Sequence, residues 1–313
     1  MTQPLLSGLV AALITPMSED GGAARPEVLG QLVTGLIRAG VEGFFVCGST
    51  GESPLLTDDE RVALARAAVG AAGGRAAVVA QATVDTTERT IRLARALAAE
   101  GLQGIALLAP GYYRFREEDI AQFFVEVAGS IPEVPVYLYN IPQRTGNVIS
   151  PALAEQVARR APNVVGIKDS SGSMQQLLGL LAVRKRLQAA GREFRVLSGD
   201  DGLAMPALWA GADGLVSGNS SVVPEPFVEL LQAYRRGDLK EGRELALFIN
   251  ELAAALGNGT RLDLFKAIAT RRGVPSGSVR RPALSGSEAE TREVWARVEA
   301  LYAQRGWRLD PLA

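Results

Sequence analysis

Asn163-Val164-Val165-Gly166-Ile167-Lys168-Asp169-Ser170-Ser171-Gly172 reads as a short apolar strand that ends on a lysine and then breaks into small polar residues. A helical pattern follows from Met174 to Gln188. A strand apolar on both faces, a short turn and a helix make one β/α unit, the building block of a parallel sheet covered by helices. The lysine is the unusual member. An amine is costly to bury charged and cheaper to bury neutral. Only the neutral amine attacks a ketone to form a Schiff base. At its ordinary pKa of about 10.4, roughly 0.04% of a lysine is neutral at pH 7. Burial that lowers the pKa by two to three units multiplies that fraction about a hundred- to a thousandfold. The competing reading is a lysine that snorkels from the strand end or pairs with Asp169.

Outward from this unit, the same alternation repeats. Leu9–Pro16, Gly43–Cys47, Ala76–Ala82, Gly104–Ala109 and Val134–Tyr139 are read as strands one to five, Phe194–Leu197 and Gly214–Ser217 as strands seven and eight. Helices are read at Pro26–Ala39, from Thr57 (an N-cap with Glu60 three residues on), and at Thr86–Glu100, Glu117–Ala128, Ser150–Arg160 and Pro224–Tyr234. Eight such units closing on themselves predict a (β/α)8 TIM barrel in the α/β class. A doubly wound open sheet is the alternative. It calls for a Gly-rich dinucleotide turn after strand one, where this chain has Thr15-Pro16. Beyond residue 235 the strands stop, and three amphipathic helices are read at Leu239–Leu256, Arg261–Arg272 and Ser287–Gln304. The expected division is a catalytic barrel over 1–235 and a C-terminal helical appendage over 236–313.

The 313 residues include no histidine, which removes Ser-His-Asp and Cys-His triads and His-ligated zinc. One cysteine, Cys47, excludes an intrachain disulfide and a multi-cysteine metal site. No metal and no cofactor is expected. Net charge is −1 with scattered Lys and Arg, so neither nucleic acid nor a membrane is an expected partner. No apolar run reaches the roughly 20 residues of a membrane span, and no basic-then-apolar signal opens the sequence. A cytoplasmic protein acting on small molecules is the expectation.

In barrels the site lies at the C-terminal ends of the strands. Those ends here carry Thr15; Ser49, Thr50 and Glu52; Tyr112 and Tyr113; Tyr139 and Arg144; Lys168; Gly199, Asp200 and Asp201; Val216 and Asn219. Gly48-Ser49-Thr50-Gly51 offers consecutive N–H groups and two hydroxyls, suited to a carboxylate. Tyr139 is placed to relay protons during imine formation, or is a core tyrosine with a satisfied hydroxyl. Arg144 aims a guanidinium at a second carboxylate, or is a solvated loop arginine. The acidic pair Asp200-Asp201 speaks against a phosphate after strand seven, and a structural role is expected for it. Cys47 is read as a buried small residue.

Gly48-Ser49-Thr50-Gly51-Glu52, Tyr139-Asn140-Ile141-Pro142 and Gly166-Ile167-Lys168-Asp169 stand in the order and spacing of a known family. With Ser198-Gly199-Asp200-Asp201 and the C-terminal helices, nearly the whole chain resembles the lysine-dependent pyruvate aldolases typified by dihydrodipicolinate synthase and N-acetylneuraminate lyase. The resemblance implies a pyruvate imine on Lys168, the pyruvate carboxylate on Ser49 and Thr50, and proton transfer by Tyr139. It implies Arg144, Gly199 and Val216 as substrate-binding residues. Tyr113 looks like the tyrosine that relatives insert into a neighbouring subunit's site, which implies a homodimer or homotetramer.

Arg144-Thr145-Gly146 is similar to the synthase branch, where the arginine binds the carboxylate of aspartate semialdehyde. Ser49 and Asp169-Ser170-Ser171-Gly172 are similar to the lyase and dehydratase branch. The leading expectation is condensation of pyruvate with aspartate semialdehyde, towards lysine and diaminopimelate. The second is a retro-aldol lyase or dehydratase of a 2-oxo-3-deoxy sugar acid, N-acetylneuraminate or 4-hydroxy-2-oxoglutarate. The third is a non-catalytic 2-oxo acid sensor. In feedback-inhibited relatives lysine binds a cleft whose matching positions here are Asp58, Arg61, Asp85 and Arg89. The guanidinium of Arg89 is expected to repel the lysine ammonium, with Asp58 or Asp85 partly offsetting it, and so to weaken that binding without abolishing it.

Overall fold

The computed structural model describes residues 5–313. Eight parallel strands close into a barrel in sequence order: β1 (Gly8–Ala12), β2 (Gly43–Val46), β3 (Ala77–Gln81), β4 (Gly104–Leu108), β5 (Val136–Asn140), β6 (Val164–Asp169), β7 (Arg195–Ser198) and β8 (Gly214–Ser217). β8 returns onto β1 through Gly8↔Gly214, and this closure excludes the open doubly wound sheet. The outer helices are α1 (Pro26–Arg38), α2 (Asp58–Ala72), α3 (Thr87–Ala98), α4 (Glu117–Gly129), a one-turn α5 (Pro142–Thr145), α6 (Pro151–Arg160), α7 (Met174–Ala189), α8 (Ala204–Trp209) and α9 (Glu225–Arg236). Three more follow, α10 (Leu239–Ala255), α11 (Leu262–Arg271) and α12 (Glu288–Gln304).

The period of two along the strands divides the core, interrupted on β6 by a register shift opposite Val136/Tyr137. Val10, Phe45, Val79, Ala106, Tyr137, Tyr139, Leu197 and Val216 fill the barrel interior. Their neighbours Leu9, Phe44, Val78, Ile105, Leu138 and Ile167 face outward beneath the helices. On β6, Ile167 goes to the helix layer and Lys168 to the interior. Gly104 and Gly166 leave room for the Tyr137 ring, since an added Cβ would lie 2.8 Å and 3.0 Å from its edge. The Tyr137 hydroxyl accepts from the Leu6 N–H at 2.9 Å, and burial pushes the phenol up to about 12. This plug closes the barrel below the lysine.

Two local readings differ from the sequence. β1 ends at Ala12, not at the proline: the Leu13 N–H still donates to Phe45 O at 3.0 Å, and Ile14 and Thr15 stay buried beyond it, with Thr15 supporting the turn after β2. The Ile141–Gly146 turn contains the short helix α5, started by Pro142 and stopped at Gly146 with φ 74°.

The capping box read at Thr57 is present, and its Glu60 does more than cap. Its carboxylate takes both terminal nitrogens of Arg280 at 2.6 and 2.7 Å, joining α2 to the chain after α11. The Arg280 hydrogen bonds hold the Glu60 carboxyl down at about 2, against 4.5 when unpaired. A depressed carboxyl stabilises the fold above its unfolded pKa, and that contribution disappears as pH falls towards 2. Glu60→Gln is therefore expected to lower the unfolding free energy by about 2–3 kcal/mol at pH 7. Urea titrations should show the gap closing between pH 4.5 and 2. A gap unchanged over that range would contradict the pairing. Among the described residues no helix is long and apolar enough to cross a membrane.

Candidate active site

A cavity of about 620 Å³ opens at the C-terminal ends of the strands. Ser49, Thr50, Tyr139, Arg144, Lys168, Gly199 and Val216 all line it, so seven of the eight residues expected from sequence share one site. The eighth, Tyr113, does not. It is 67% exposed, edge-packed between Tyr112 and Phe115 on the outer surface.

Lys168 is 4% exposed, and its Nζ lies 4.1 Å from the Tyr139 ring centroid and 4.5 Å from that of Phe45. The alternative pairing with Asp169 is not made. Asp169 points away, its carboxylate accepting from Asn140 Nδ2 at 2.7 Å and Ser171 Oγ at 2.8 Å. Burial raises the Asp169 pKa. The stem of Lys168 fits only because a glycine, Gly199, follows β7. A Cβ on Gly199 would lie 2.7 Å from Lys168 Cε and 2.1 Å from Ser170 Oγ.

Tyr139 stands beside Lys168 in register on β5. Burial alone would raise its phenol. The Lys168 charge and the hydrogen bonds of Ser49 and Lys168 outweigh that and hold it below the ordinary tyrosine value. Its hydroxyl lies 3.3 Å from Ser49 Oγ, which connects the phenol to the turn after β2. A tyrosine tuned in this way suits proton transfer in a site without histidine.

The Ser49-Thr50 turn is fixed from two sides. Thr15 Oγ1 donates to Gly51 O at 2.7 Å, and a Cβ on Gly51 would meet Leu13 O at 3.1 Å. Arg144 lies at the mouth, exposed, and among the described residues its guanidinium makes one hydrogen bond, a 3.5 Å contact to Gly259 O. Asp201 accepts from Ser217 Oγ at 2.9 Å and Asn219 Nδ2 at 2.6 Å, and burial pushes its carboxyl up to about 6. Asp201 thus ties β8 to the loop after β7, while Asp200 lines the cavity. Cys47 is buried, its thiol pushed up to about 12 by desolvation.

The C-terminal helices also reach the cavity, through Asn250, Asn258, Thr260 and Phe265, and Gln143 joins from α5. Sequence reasoning missed these. Polar residues at a helix surface or in a loop carry no signal of what they face after the chain folds back.

A second cavity, of about 510 Å³, lies on the other side of Arg144 and is lined by Asp58, Arg61, Asp85 and Arg89. The offset expected from Asp58 and Asp85 is present. Arg89 is paired with Asp85 at 2.7 Å and lies 3.7 Å from Asp58, so its charge is locally offset.

A barrel with a buried lysine and an apposed phenol at the C-terminal strand ends defines a Schiff-base, class I lyase. Residues 5–301 match the Dihydrodipicolinate synthetase family, and the chain belongs to it. It is 35% identical over 305 residues to a 4-hydroxy-tetrahydrodipicolinate synthase of Sorangium cellulosum, covering 97% of this chain and 99% of the relative. YagE of E. coli K12, a dihydrodipicolinic acid synthase family protein solved in complex with pyruvate, superposes with a TM-score of 0.87 at 28% identity, over 95% and 99% of the two chains. A dihydrodipicolinate synthase variant described as monomeric gives the same TM-score at 28% identity, over 95% and 97%.

Proposed function

We propose that the chain condenses pyruvate with aspartate semialdehyde to 4-hydroxy-tetrahydrodipicolinate, the activity named for its Sorangium cellulosum relative. The observation that carries this reading is a buried amine against Tyr139, with a carboxylate-sized turn beside it and a free guanidinium at the mouth. In this reading Lys168 Nζ attacks C2 of pyruvate and water leaves, while Tyr139 passes the protons. The Ser49-Thr50 turn holds the pyruvate carboxylate. Loss of a proton from C3 gives an enamine whose carbon attacks the aldehyde. The amino group of the second substrate then displaces Lys168 from the imine carbon and closes the ring, freeing the amine for the next turn.

Arg144 receives the carboxylate of the aldehyde substrate. Tyr113 enters the site of a second copy and completes a relay through Ser49 to Tyr139, so the active form is a homodimer or homotetramer in the cytoplasm. The exposed aromatic edge of Tyr112, Tyr113 and Phe115 supports that placement.

The test is a steady-state comparison of kcat/KM for aspartate semialdehyde and for several 2-oxo-3-deoxy acids. A clear preference for aspartate semialdehyde is expected. Preference for a deoxy sugar acid would turn the reading to a retro-aldol lyase or dehydratase. Arg144→Ala is expected to lower kcat/KM for the aldehyde by about 1.5–3 kcal/mol, the range for a charged hydrogen bond, because the free guanidinium is already solvated. Trapping of pyruvate should be nearly untouched. An unchanged kcat/KM would remove Arg144 from substrate recognition.

A further inference from the structure

The turn that presents Ser49 and Thr50 is bracketed by two non-glycine residues in the left-handed region, Cys47 with φ 55° and Glu52 with φ 58°. Such residues are strained and persist only where their surroundings over-determine them. Within the turn, Gly51 N–H donates to Gly48 O at 3.1 Å and Glu52 N–H to Ser49 O at 3.2 Å, so the conformation of Glu52 and the placement of Ser49 are coupled.

What holds Glu52 comes from the far end of the chain. Its Oε1 lies 2.5 Å from Lys266 Nζ on α11, and the two side chains are 2% and 1% exposed. Its Oε2 accepts from the Arg280 N–H at 2.8 Å, and Lys266 Nζ donates a further bond to Ser278 O at 2.7 Å. Neither Glu52 nor Lys266 lines the cavity, although their neighbours Thr50 and Phe265 do. An apolar pair of similar size would fill this space at less desolvation cost. An ion pair, unlike an apolar contact, holds one carboxylate in one place.

We infer that Glu52 and Lys266 are a positioning pair for the pyruvate site: their buried ion pair fixes the strained turn and so sets where Ser49 and Thr50 meet the substrate carboxylate. This rests on the reading of that turn as the pyruvate-carboxylate site. It makes α11 and the segment 276–280 part of the substrate-binding apparatus, beyond their packing on the barrel.

The experiment uses the full chain, with Lys266→Met and the double variant Glu52→Gln/Lys266→Met. Pyruvate saturation is followed by steady-state rate and by borohydride trapping, alongside thermal melting. Lys266→Met is expected to raise the pyruvate KM and the half-saturation of trapping about tenfold, with kcat at saturating pyruvate within about twofold. The double variant leaves no lone buried charge, and its glutamine still accepts from Arg280 N–H. It decides the matter even if the single variant does not fold. A pyruvate KM raised at least about fivefold is expected of it. Pyruvate KM and trapping within about twofold of the unaltered chain, whatever the melting temperature, would show a purely structural pair. A fall in kcat with KM unchanged would overturn the inference equally. Absence of any pyruvate adduct on the unaltered protein would overturn the pyruvate reading and this inference together.

Discussion

Lys168→Ala is expected to reduce turnover by at least about 10⁴-fold, because no other group replaces the covalent nucleophile. The barrel should survive the change. Alanine removes the amine without burying a charge, and the Tyr139 and Phe45 rings, 5.4 Å apart between centroids, continue to pack edge to face. Circular dichroism and a melting temperature within a few degrees of the unaltered chain, about 1 kcal/mol for a domain of this size, serve as the control. Lys168→Arg is the poorer variant, since it forces a permanent charge into the interior. Residual activity within about tenfold would mean that the amine is not the nucleophile.

The second large effect belongs to Tyr139. Tyr139→Phe keeps the ring against Phe45 and Lys168 but removes the phenol. A loss of about 10²–10⁴ in kcat/KM is expected, the usual range for a positioned proton-transfer group. Since the Lys168 charge and the Ser49 bond hold this phenol below the ordinary tyrosine value despite its burial, the alkaline limb of the kcat/KM profile should lie below that value too. The phenylalanine variant should lack that limb. A Tyr139→Phe enzyme with an unaltered rate and pH profile would assign proton transfer to another group.

The fold was legible because its determinants are local. Continuous apolar strands, short turns and caps such as Thr57 with Glu60 recur at each unit, whereas the interior placement of Lys168 also depends on the register shift opposite Val136/Tyr137, which the sequence does not announce. The site was legible where chemistry and strand ends coincide, as for Ser49, Tyr139 and Lys168. It was not legible where residues distant in sequence meet. Nothing around Lys266 or Arg280 announces that Glu52 and Glu60, more than 200 positions earlier, will be their partners. The Asp85 partner of Arg89 stands four positions before it and was in reach of the sequence, whereas Asp58 comes within 3.7 Å only once α2 and α3 are side by side.

The central claim is a covalent one, and trapping tests it most directly. The unaltered chain incubated with pyruvate and borohydride should gain one reduced pyruvate per chain, on the peptide that carries Lys168. An adduct on a different lysine, or no adduct at all, would contradict the Schiff-base chemistry assigned to this barrel.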